Sequence, residues 1–168
     1  MTYKLTPISQ LTSKQPKNTW LIKGIIEQAT TGMLFGSPAS GKSFIAMDMA
    51  FCIAIGHDFA NSTVNQGKVV YLAGEGFNGL SKRFKALEEK YETQTSDIFI
   101  SNMPASLICI KNTEEVIAEV DNICPNPSLI IVDTLHRNFG GGDENSAKDV
   151  GKLMVTITAL INHTGAAV

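Results

Sequence analysis

"MLFGSPASGKSFIAMDMAFCIA", Met33 to Ala54, places a run of small residues between two apolar ones. Met33 to Phe35 is apolar. Gly36 to Ser43 is built from glycine, serine, proline and alanine with one lysine, and Phe44 to Ala54 is apolar with Asp48 as its only charge. The order predicts a short buried strand, a loop and a helix.

The loop itself, Gly36-Ser37-Pro38-Ala39-Ser40-Gly41-Lys42-Ser43, meets the P-loop pattern at every fixed position. Glycines let backbone N–H groups curl around a phosphate, and a helix opening near Lys42 turns the positive end of its dipole to the same anion. Lys42 can then reach the β and γ phosphates of ATP, and Ser43 can offer a hydroxyl to Mg2+, which prefers hard oxygen ligands. A plain glycine turn joining strand to helix is the alternative. Strand, turn and helix all fall where the motif requires them, which weighs against it.

At 168 residues, 43% hydrophobic and 18% charged, the chain has the composition of one globular domain with a real core. A formal charge of -2 provides no global field for nucleic acid, so any such contact must come from a local patch or from assembled copies. Cys52, Cys109 and Cys124 are odd in number and set among apolar neighbours, which fits free thiols in a cytoplasmic, reducing compartment better than disulfides or a metal site. The apolar helix after the P-loop is too short, and broken by Asp48, to span a bilayer, so no membrane role is expected.

Residues 1–19 are polar and carry Pro7 and Pro16, reading as an N-terminal arm or linker, with the main domain over 20–168. Trp20 to Ile26 is expected to form an edge element, and Lys68 to Ala73, "KVVYLA", a buried strand. Leu80, Phe84, Leu87 and Tyr91 recur at helical spacing. Ile98 to Ser101 reads as a short strand. Asn112 with Glu115 resembles a capping box opening a helix through about Ile123, and Leu129 to Val132 is β-branched. Ala147, Val150, Leu153, Met154, Ile157, Leu160 and Ile161 form a helical stripe that Gly165 would end. Ala166 to Val168 look like the opening of another buried strand, as in a fragment. Strands alternating with helices predict an α/β fold with a mostly parallel sheet flanked by helices.

A P-loop site needs an acidic group at the end of a neighbouring strand to hold water on the metal, and "LIIVDT" offers Asp133. Glu75, between Gly74 and Gly76 just past "VVYLA", is the candidate for orienting the attacking water, because strand ends in such sheets point into the ligand crevice. A solvated turn glutamate is the alternative. His57 and His163 have no partners at metal-ligand spacing, and Trp20 reads as a core or edge aromatic before it reads as a cover for adenine.

The order of P-loop, helix, strand ending in Glu75, amphipathic helix and "LIIVDT" resembles the RecA-like class. More narrowly, "VVYLAGEG", "RFKAL" and "LIIVDTLHRNFGGGDENSAKDVG" resemble the RepA-type ATPases of plasmids and phages, related to hexameric replicative helicases. That resemblance implies a three-layer P-loop NTPase fold. It implies that Lys42 and Ser43 take phosphate and Mg2+, that Glu75 polarises water and that Asp133 holds the metal's water shell. It also implies a homo-oligomeric ring, a hexamer in the full-length protein, with an arginine acting across the subunit boundary that is expected beyond Val168. His136, Arg137 and Gly140 to Gly142 fall where such proteins place loops toward a central channel, so contact with single-stranded DNA is one reading; pairing of Arg137 with Asp143 or Glu144 is the other. A DNA-dependent, helicase-like ATPase is thus the leading expectation, beside a P-loop small-molecule kinase or a nucleotide-dependent assembly module with little hydrolysis.

Overall fold

The structure, a computed structural model, describes residues 5–13, 19–74 and 76–168. Its centre is a three-stranded parallel sheet. β3 (Val69–Ala73) is buried at all five positions and lies between β4 (Ile98–Ile100) and β5 (Leu129–Asp133). Ahead of it come α1 (Ile8–Thr12), β1 (Trp20–Ile22), β2 (Ile26–Glu27) and α2 (Lys42–Ile55). Between and after the strands run α3 (Phe77–Tyr91), α4 (Ile110–Ile123), α5 (Leu135–Asn138) and α6 (Ala147–Thr164).

The central strand is apolar throughout because both of its faces are covered. Val70 and Leu72 point into a core shared with Val120, Ile130, Leu153, Ile157 and Leu160, from β5, α4 and α6. Val69, Tyr71 and Ala73 point the other way, against Met47, Ala50, Ile53 and Leu80 of α2 and α3. The twofold alternation of a strand therefore sorts one run of residues into two cores and yields three layers, α2/α3, sheet and α4/α6. Asp48, the one acidic residue of α2, is taken up at the edge of this packing. Lys90 Nζ and Tyr91 Oη donate to Asp48 Oδ1 at 3.0 and 2.8 Å, and Cys52 Sγ donates to Tyr91 Oη at 3.2 Å.

Beyond β5 the sheet continues as single backbone contacts. Ala167 bridges Leu129 in parallel, Ile130 N–H donates to Ala167 O, Val168 N–H donates to Thr30 O and Gly32 N–H to Val168 O. Residues 166–168 thus lie between β5 and the segment leading to the P-loop, and the expected strand opening at Ala166 has its first rungs.

Four local expectations are corrected. Met33 to Phe35 is not a strand: these residues are 72, 51 and 86% exposed, and the backbone pairing of the segment is made ahead of them, at Thr30 and Gly32. Trp20 to Ile26 is not one edge strand but an antiparallel pair, β1 with β2, closed by a bridge from Ile22 to Val64. α4 opens at Ile110, three residues before a capping box at Asn112 would start it; its N-cap is Cys109 without a side-chain bond, and Asn112 Nδ2 instead reaches Ser106 O at 3.4 Å. The stretch after Asp133, expected as a loop, contains the helical turn α5.

Candidate functional site

α2 begins where the small residues end. Its N-cap, Gly41, has φ of +88°, a left-handed conformation that lets the chain swing from the loop into the helix without a Cβ penalty, and Ile45 N–H closes the first turn on Gly41 O. Residues 36–40 are exposed. The Lys42 ammonium folds over this loop, donating to Gly36 O at 2.8 Å and Ser37 O at 2.9 Å. One residue on, Ser43 Oγ donates to Asp133 Oδ1 at 3.0 Å. Helix α2 and strand β5, 90 positions apart in sequence, therefore meet at a hydroxyl and a carboxylate.

Asp133 ends β5 in register with Ala73, the end of β3. Its other oxygen, Oδ2, accepts from Tyr71 Oη at 2.5 Å. Sequence reasoning treated Tyr71 as one aromatic of a strand; its side chain faces the same layer as α2, a consequence of period-two alternation that could have singled it out. The donor set of a hydroxyl oxygen and a carboxylate beside an ammonium fits a hard divalent cation bound with phosphates, where few protein ligands are needed. Among the described residues no group of three or more His, Cys, Asp or Glu is gathered as a metal cluster.

Gly74 follows directly and is held from both sides. Its N–H donates to Asp133 O at 2.6 Å, and Arg137 Nη1 donates to its carbonyl at 3.2 Å. A Cβ at position 74 would lie 2.5 Å from Arg137 Cβ, so glycine is required for close approach of α5 to the end of β3. Arg137 is thereby turned onto the sheet, and in place of the alternative pairing with Asp143 or Glu144 it is His136 Nδ1 that meets Glu144 Oε2, at 3.4 Å. Glu75 lies outside the described residues; Gly76 after it is the extended N-cap of α3.

Asn138, unremarked in the sequence, is completely buried and binds three segments. Its Nδ2 donates to Leu72 O at 3.2 Å and Thr134 O at 3.1 Å, and its Oδ1 accepts from Ala105 N–H at 2.8 Å. α5 is fixed to β3 and to the 105–107 loop by one amide. The remaining histidines are occupied elsewhere, His57 Nδ1 with Asp58 O and His163 Nε2 with Asp121 Oδ2 at 2.9 Å. Trp20 sits on β1, where its carbonyl accepts from Asn65 Nδ2, as an edge aromatic. Away from the site, burial first and the Cys52 hydrogen bond second push the Tyr91 phenol up to about 12, and burial raises the thiols of Cys52 and Cys124. Among the described residues no helix is long and apolar enough to cross a membrane.

Comparison with known proteins agrees with this geometry. The family model for the AAA domain matches residues 2–168, and the chain belongs to that family. No curated protein matches the chain significantly. Membership makes this an ATP-binding, ATPase-type domain with a P-loop NTPase fold.

Proposed function

Starting from that membership, we propose that the chain is a RecA-like ATPase domain of the RepA type that binds ATP with Mg2+ at Gly36 to Ser43 and hydrolyses it. The observation that carries the reading is the Ser43–Asp133 hydrogen bond at 3.0 Å, with the Lys42 ammonium on the same loop. The loop N–H groups and Lys42 bind the phosphates. Ser43 and Asp133 present oxygen to the cation, which would neutralise charge developing on the transferred phosphoryl group. Glu75 orients the attacking water. Gly74, held by Asp133 and Arg137, ties the chain just before that glutamate to the strand end that carries Asp133. The resemblance adds a homo-oligomeric ring acting on single-stranded DNA, and the unpaired cysteines support a cytoplasmic setting.

A kinase would want several arginines for a lid. Arg83 lies over the Phe44 ring and Arg137 on Gly74, so neither supports that reading. The test is nucleotide binding and steady-state ATPase with and without single-stranded DNA, in wild type, Lys42→Ala and Glu75→Gln. Lys42→Ala should fold, since its ammonium touches exposed carbonyls, and lose about ten- to a hundredfold in nucleotide affinity, the loss expected for hydrogen bonds to charged groups. Glu75→Gln should bind ATP and turn over slowly. Wild-type hydrolysis in Lys42→Ala refutes the assignment; acceptor-dependent turnover favours a kinase, and negligible turnover in wild type favours an assembly module.

A further inference from the structure

Asp133 has two carboxylate oxygens, and the structure gives each a different donor. Ser43 Oγ, at the start of α2, takes Oδ1, and Tyr71 Oη, from the middle of the sheet, takes Oδ2. We propose that Tyr71 is a positioning residue for the metal-facing carboxylate: it fixes the plane of Asp133 through Oδ2 and so keeps Oδ1 turned to Ser43. This rests on the reading of Ser43 and Asp133 as the cation side of the site.

The ring is completely buried among Met47, Ala50 and Leu80, edge-on to Phe84 with centroids 6.0 Å apart. Packing alone would be served by phenylalanine. A buried phenol requires a polar partner, and among the groups it meets is a carboxylate at the end of the adjacent strand. Register explains the reach. Tyr71 lies opposite Ile131, two residues before Asp133, and strand side chains lean along the strand, so the phenol extends toward the strand end. A carboxylate free at Oδ2 can rotate about its terminal torsion, which is broad and without staggered wells. One held there by a donor on a rigid central strand cannot. Groups behind a metal ligand commonly change metal affinity by about 10- to 100-fold when removed.

The test compares wild type, Tyr71→Phe and Asp133→Asn by fluorescent-ADP binding in EDTA and in a titration with MgCl2. Tyr71→Phe should bind the nucleotide normally in EDTA and require about tenfold more MgCl2 for the half-maximal effect. Asp133→Asn should show at least that shift. If Asp133→Asn shifts and a folded Tyr71→Phe does not, whatever its melting temperature, the positioning role is overturned while the site assignment stands. If neither shifts, the assignment of Ser43 and Asp133 falls and the role of Tyr71 with it. A second measurement does not depend on the variant folding: wild type labelled with 3-fluorotyrosine has three tyrosines, and Tyr3→Phe and Tyr91→Phe identify the Tyr71 fluorine resonance by elimination. That resonance should move when MgCl2 is added to the ADP-bound protein, and an unmoved resonance overturns the proposal.

Discussion

Replacing Asn138 with alanine should be among the most damaging single changes outside the P-loop. The side chain is 0% exposed, so water cannot substitute for the three hydrogen bonds it makes, to Ala105 N–H, Leu72 O and Thr134 O. Thr134 O keeps a second donor, the Asn138 backbone N–H at 3.1 Å, so the main losses are the bond to Leu72 O and the stranded N–H of Ala105. A buried polar group left unpaired costs about 1–3 kcal/mol, and the lost volume adds to it, giving about 3 kcal/mol in all. For a chain of this size each kcal/mol moves the melting temperature by about 2–4 °C, so thermal unfolding followed by circular dichroism should show a fall of about 6–12 °C. Asn138→Asp should add a dependence on pH. It keeps the acceptor for Ala105 but sets a carboxylate against two carbonyl oxygens, so its folded pKa is raised above the ordinary value of about 3.9. A raised pKa contributes stability below the unfolded value and loses it as pH climbs, so this variant should lie nearer wild type at pH 4 than at pH 7. A fall under about 2 °C for Asn138→Ala, or an Asn138→Asp variant equally stable at both pH values, would refute the account of Asn138 as the amide holding α5.

Gly74→Ala should destabilise by about 1–3 kcal/mol through overpacking, since the new methyl meets Arg137 Cβ at 2.5 Å on the fixed backbone of α5. Adding Arg137→Gly should recover part of the loss, and strict additivity of the two in urea unfolding would contradict the contact. The Tyr91 phenol, raised to about 12 in the fold against about 10 unfolded, keeps its proton longer in the native state. Its contribution is therefore complete below pH 10 and lost as pH rises toward 12, and Tyr91→Phe should flatten stability across that window; an unchanged slope would show that another group dominates.

Local chemistry determined much of this protein. The P-loop, the helix after it, the buried strand "KVVYLA", the amphipathic α3 and α6 and the glycine stop at Gly165 were legible because each depends on residues a few positions apart: spacing, β-branching, and φ freedom. Asp133 was legible as an acid after an apolar run. What lay beyond that reading depended on partners far away in the chain. Met33 to Phe35 has strand composition, yet the backbone pairing of this segment is made at Thr30 and Gly32, and strand formation is a property of pairs. Arg137 was read either toward single-stranded DNA or against nearby acids, yet its donor finds Gly74 O, 63 positions earlier, because α5 folds back over the end of β3. Tyr71 looked like a strand aromatic, and Asn138 drew no reading at all. Only when β3 and β5 come into register does the phenol reach Asp133, and only when α5 is buried does the amide find Leu72 and Ala105. Periodicity along the chain reports which face a side chain takes; which polar group waits on that face is decided by strands and helices that the chain brings together from elsewhere.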